Sequence, residues 1–243
     1  MCGVLSAVVL TPSAPVLVPE LAGAAAVEVA DIRAAMLAAA AELPDRWIAV
    51  GVGAGDQVID PDARGTFAGY GVDVGVALSP DASAGVRALP LCALFAGWLR
   101  GQANPAAHVQ VRVYDADHDP ATAVDYGRAL RVEIDGIGEP VGVLVVADGA
   151  NTLTPAAPGG YDPDAASRQA ALDDALATGD VAALKALTGG IVGRVGYQVL
   201  AGLVEPGPRT AQELVRGAPY GVGYFVGTWT PAGESAATRE STA

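Results

Sequence analysis

Residues 141–146 read VGVLVV, an apolar run with no polar side chain on either face. A strand of that kind belongs at the centre of a sheet covered on both sides. Around it, short β-branched runs alternate with alanine-rich stretches. Strands are predicted over residues 3–10, 46–53 (RWIAVGVG) and 108–114 (HVQVRVY), with another over 72–78 and a last over 220–229. Helices are predicted over 24–43, stopped by Pro44, and over 89–100, stopped by Gly101. Asp119 reads as an N-cap with Pro120 at the first helical position, opening a helix to about residue 134. Two or three more helices fall between 164 and 204, and the proline-punctuated segment 11–21 reads as a loop. This order predicts an α/β fold, a three-layer α/β/α sandwich with a central mixed β-sheet. Residues 1–230 read as a single domain, and the small, polar stretch 231–243 as a disordered tail. Ligands of such sheets sit at the carboxyl ends of strands, so the loops after Leu10, Gly53 and Val146 are the ones to inspect.

Composition narrows the partners. The 243 residues are 51% hydrophobic and 17% charged, as in a globular chain. Aromatics make up 5%, so the core must be built from Ala, Val, Leu and Ile. The formal charge is −13, and Lys185 and thirteen arginines form no cluster, which disfavours nucleic acid as a partner. Cys2 and Cys92 are too few for a disulfide framework or a thiolate zinc site. The first 32 residues carry no Lys or Arg, where a secretory signal needs a basic start. Pro12, Pro15 and Pro19 interrupt the uncharged beginning, and no clean 18-residue apolar stretch exists. A soluble, cytoplasmic protein with no membrane segment is expected.

Several short motifs invite chemistry and then withhold it. Gly51-Val52-Gly53-Ala54-Gly55 follows a strand as a dinucleotide loop does, but Gln57 to Pro61 has Asp and Pro where the helix should open. Asp115, Asp117 and Asp119 alternate like half of a calcium loop. Pro120 stands at the position that needs Gly, and Tyr126 at the one that needs Glu. Met1-Cys2-Gly3 matches the start of amidotransferases that expose an N-terminal cysteine, on three residues only. His108 starts a strand and His118 lies just past its end. At about 3.3 Å per residue they stand roughly 20 Å apart and cannot share an ion. Each reads as an isolated surface or capping histidine.

Four blocks, in order, resemble the LigB-type catalytic subunits of class III extradiol ring-cleavage dioxygenases and their stand-alone homologues. Residues 8–20, VVLTPSAPVLVPE, are similar to the family's "VPHPPLLVPE". Residues 46–55 sit where the family has a strand leading to "SPH". Residues 145–154, VVADGANTLT, followed by GYDP at 160–163, are similar to "GDLSHRLT" and "GYDP". Residues 218–224, APYGVGY, are similar to "GPFGVGY". The resemblance runs over about residues 4 to 228.

The resemblance implies a LigB-like α/β/α sandwich, often assembled into homo-oligomers. It also implies iron(II) held by two histidines and a glutamate, with a third histidine as acid/base. This sequence departs at each position. Ser13 stands for the first ligand histidine, Ala54 at or beside the second, and Asn151 for the acid/base histidine. Arg194 falls near the glutamate, while Asp148 of "GDLSH" is kept. A hydroxyl, a methyl, an amide and a guanidinium do not coordinate iron(II), so no cofactor is expected; Fe(II) belongs only with a retained family activity. The expectation is a metal-free relative, inactive in ring cleavage, whose old cleft persists as a small-molecule or partner site. Ser13, Ala54, Asp148, Asn151 and Tyr161 are its expected lining. Two enzyme alternatives stand beside it. One is a dioxygenase with a rearranged iron site. The other is a metal-independent hydrolase-type enzyme using Ser13 or Cys2 as nucleophile or Asp148 as base, favoured if Asp148 is desolvated and Ser13 lies within reach of a base.

Overall fold

A computed structural model describes residues 4–232. In chain order its elements begin with β1 (Val4–Thr11), α1 (Pro19–Ala22), α2 (Ala30–Ala41), β2 (Arg46–Gly53), β3 (Gln57–Ile59), β4 (Arg64–Thr66) and β5 (Gly75–Ala77). They continue with α3 (Leu91–Ala103), β6 (His108–Asp115), α4 (Pro120–Asp135), β7 (Pro140–Val146), α5 (Ala165–Thr178), α6 (Val181–Lys185), α7 (Arg194–Leu203), β8 (Pro208–Gly217) and β9 (Tyr224–Pro231). Seven strands form one sheet in the order β3-β6-β2-β7-β1-β9-β8, and β4 and β5 form a separate ribbon. β6, β2, β7 and β1 run parallel, while β3, β9 and β8 are antiparallel. The fold is therefore α/β with a mixed central sheet flanked by helices, as the alternation of patterns predicts.

The VGVLVV run lies in the middle strand, and its period-2 alternation divides the core. Leu144 and Val146 pack with Trp47, Ile32 and Met36 of α2, and Phe95 of α3. Val143 and Val145 face the other way, onto Leu130 and Ile134 of α4, Leu172 and Leu176 of α5 and Val199 of α7. With few aromatics, close backbone approach does part of the packing. A Cβ on Gly202 of α7 would stand 2.0 Å from the Val124 carbonyl of α4, and one on Gly127 2.0 Å from the Val199 carbonyl. Among the described residues no helix is long and apolar enough to cross a membrane.

Several boundaries differ from the sequence reading. The helix expected over 24–43 is α2 alone. Gly23–Ala26 forms a 3-10 turn instead, and the β-branched Val27 and Val29 lie in the turn before Ala30. Val27 is 84% exposed and packs on nothing that could hold it helical. The helix expected over 89–100 starts after Pro90 and runs through Gly101 to Ala103. The strand expected over 72–78 shrinks to β5, paired with β4. Residues 220–223 are turn, and the last strand begins at Tyr224. The sequence reading has no counterpart for β3, β4 or β8. Pro231 pairs with Pro208. The expected tail beyond residue 232, and the Cys2 nucleophile, lie outside the described residues.

Candidate functional site

Thr11 and Val146 are the last paired residues of the adjacent parallel strands β1 and β7. The Ala147 N–H donates to the Thr11 carbonyl at 2.9 Å, so both chains leave the sheet side by side. Two residues beyond each pairing position, Ser13 and Asp148 meet. The Ser13 N–H donates to Asp148 Oδ1 at 2.9 Å, and its hydroxyl donates to Asp148 Oδ2 at 2.6 Å. Asp148 is only partly exposed, and the protein around it replaces much of its hydration. Burial pushes its carboxyl above the usual range, and the two Ser13 hydrogen bonds offset only part of that rise.

The turn that carries Asp148 is pinned from below. Gly149 N–H donates to the Gly223 carbonyl and Gly223 N–H to the Ala150 carbonyl, both at 2.8 Å. The Ala150 N–H donates to Gln169 Oε1 at 2.7 Å, and Gln169 Nε2 donates to Asp173 Oδ1 at 2.8 Å. A Cβ on Gly149 or Gly223 would stand 2.1 Å from Gln169 Oε1, so only glycine lets this buried amide in. Burial pushes Asp173 up to about 6.

Above this floor opens a cavity of about 390 Å³. Ser13, Asp148 and Asn151 supply polar groups at its base, and its walls are mostly apolar, from Pro15, Val16, Leu91, Pro158, Val192 and Val222. Tyr220 and Tyr224 complete it from the turn before β9 and from the strand's first residue. The Tyr220 hydroxyl donates to Glu28 Oε2 at 2.9 Å. Tyr224 is 2% exposed, and burial pushes its phenol up.

Three of the residues singled out in the sequence therefore share a cleft, and three do not line it. Ala54 is exposed just past β2, where the chain turns into β3 and not into a helix. Tyr161 is 62% exposed. Arg194 faces another contact. Its guanidinium donates to Gln198 Oε1 at 2.9 Å and to the carbonyls of Ala116 at 3.0 Å and His118 at 2.8 Å, strapping α7 to the loop after β6. The alternating aspartates are turn and cap residues. Asp115 Oδ1 accepts from Asp117 N–H, and Asp119 Oδ1 from the N–H groups of Ala121 and Thr122. The histidines stand apart, His108 3.5 Å from Asp81 and His118 2.7 Å from Asp56. The cleft walls at Leu91 and Val192 escaped sequence reasoning, because an apolar wall residue looks like any core residue. Tyr220 and Tyr224 did carry a signal, as part of the APYGVGY block.

Among the described residues no group of three or more His, Cys, Asp and Glu side chains lies placed to hold a metal ion. The polar groups of the cleft do not fit iron(II) either. They offer a hydroxyl, an amide and a phenol beside one carboxylate whose two oxygens already accept from Ser13, with no imidazole.

Fold and cleft together define an α/β protein with a site at the carboxyl edge of a mixed sheet. No known family profile and no curated protein matches the chain. Among solved structures it is similar to the uncharacterized protein JW3007 from Escherichia coli K12, at 12% identity and a TM-score of 0.57. The match covers 92% of this chain and 99% of that one, and it speaks for the fold.

Proposed function

We propose that this chain is a metal-independent small-molecule-binding protein built on the scaffold of the extradiol dioxygenases, without their ring-cleavage activity. The observation that carries this reading is the cleft at Ser13, Asp148 and Asn151. It lies at the carboxyl ends of two parallel strands and has mostly apolar walls, while its polar groups lack the donor set that iron(II) chemistry requires. Its size suits a small ring-bearing ligand. The test combines two readouts. Protein loaded anaerobically with iron(II) is expected to consume no O₂ above blank on a catechol panel. Small aromatic probes are expected to shift the amide resonances of Ser13 and Asn151. Catechol-dependent O₂ uptake overturns the proposal.

One contact favours a second reading, a metal-independent hydrolase. The Ser13 hydroxyl lies 2.6 Å from a carboxylate whose basicity burial has raised. In that reading Asp148 takes the Ser13 proton as Oγ attacks the acyl carbon of an ester. The bond to the alkoxide breaks, Asp148 returns the proton to the departing alcohol, and water then hydrolyses the acyl-serine. The serine N–H also donates to the same carboxylate, which is how a turn is stapled and needs no chemistry. Treatment with a fluorophosphonate followed by intact-mass analysis separates the two: labelling at Ser13 supports the hydrolase, and unmodified protein supports the binding cleft.

A further inference from the structure

The polar groups at the base of the cleft are unequal in what they offer a ligand. The single hydroxyl proton of Ser13 is committed to Asp148 Oδ2, so toward the cavity Ser13 Oγ presents only lone pairs. Each Asp148 oxygen accepts one bond from Ser13 and retains further acceptor capacity. Asn151 adds an amide and Tyr224 a phenol, each able to accept or to donate. The one charged group among them is the Asp148 carboxylate, an acceptor, and a ligand complementary to it brings N–H or O–H groups.

Charge points the same way. Among the described residues no Lys, Arg or His lines the cavity, and no cation is paired with Asp148. At the rim, Tyr220 holds the carboxylate of Glu28. The whole chain carries −13. A ligand carboxylate or phosphate would meet this with repulsion and no counter-charge. A neutral hydroxyl can donate to the carboxylate but leaves its charge without a counter-charge. A cation would satisfy it, and tyrosine rings beside it favour the same charge. The apolar walls at Pro15, Val16, Leu91 and Val192 then require an apolar body behind the charged head.

We infer that the cleft takes a small apolar primary amine, its ammonium seated against the Asp148 carboxylate with Ser13 Oγ and Asn151 as further acceptors. This rests on the binding-cleft reading and names the ligand class of that site. The protonated amine donates three hydrogen bonds where the base offers acceptors, and its hydrocarbon or aryl part fills the walls.

Three probes of nearly equal size test it near neutral pH: 2-phenylethylamine, 2-phenylethanol and phenylacetate. Binding is read by titration with amide chemical shifts at Ser13 and Asn151. The amine is expected to bind about tenfold or more tighter than the alcohol, and the acid to bind weakest of the three. Asp148→Asn is expected to bring amine and alcohol to similar affinity. The wild-type comparison stands without this variant should it fold poorly. Alcohol or acid binding as tightly as the amine overturns the inference and leaves the cleft reading standing. Failure of all three probes to bind overturns both.

Discussion

A hydroxyl that donates to a desolvated carboxylate matters most when that carboxylate is charged. Ser13→Ala removes the donor to Asp148 Oδ2 but keeps the backbone N–H bond to Oδ1. The loss is expected to cost about 1–3 kcal/mol of stability when Asp148 is ionised and less when it is protonated. The same change should move the Asp148 carboxyl further up, read from its carboxyl carbon chemical shift. A stability cost independent of pH would contradict this account of the pair. Asp173 supplies a second residue-level test. Its pKa rises from 3.8 to about 6 in the fold, because burial disfavours the charge. The folded state therefore binds this proton more tightly than the unfolded chain. The group's contribution falls as pH rises from about 4 to about 6, and the full penalty applies above that. Asp173→Asn keeps an oxygen to accept from Gln169 Nε2. It is expected to stabilise the protein near pH 7 by on the order of 2 kcal/mol, with little effect near pH 4. Denaturation curves of variant and parent that run parallel across that window would rule it out.

Between elements, the closest contact is that of α4 with α7, where Gly127 and Gly202 let two backbones touch. Gly202→Ala would press a methyl to 2.0 Å from the Val124 carbonyl, which is backbone and cannot rotate away. A cost of about 3 kcal/mol is expected, lowering Tm by roughly 6–12 °C in a chain of this size. An unchanged Tm would show that the helices separate easily. Elements with strong, local patterns were legible in the sequence. Arg46–Gly53 is a strand with the expected bounds, and Asp119-Pro120 opens α4 through side-chain caps to Ala121 and Thr122. Elements whose reason is tertiary were not legible. β8 breaks any regular alternation with the adjacent Gln212 and Glu213 and carries Arg209 and Arg216 besides, and it pairs with β9 along the sheet edge. Gly101 ends nothing, because α3 closes beyond it with the Asn104 N–H on the Arg100 carbonyl. In the cleft, the family-like blocks put Ser13 and Asp148 in one site, and the parallel pairing of β1 with β7, which no local pattern records, is what brings them into contact. The same blocks put Ala54 and Tyr161 in the lining and Arg194 beside it, and the structure places none of the three there. Where their side chains go depends on turns and on distant carbonyls that no local pattern records.

At the scale of the molecule, the sheet puts the ends of β1 and β7 together and the helices cover both of its faces. Ser13, Asp148 and Asn151 line a mostly apolar cavity beside those ends, and among the described residues no imidazole lines it. In the proposed reading this cleft works without a metal. Elemental analysis of freshly isolated protein, repeated after anaerobic incubation with iron(II) and desalting, tests it most directly. Metal far below one equivalent per chain in both samples is the expected result. One equivalent of iron retained by the parent and released by Asp148→Asn would contradict it.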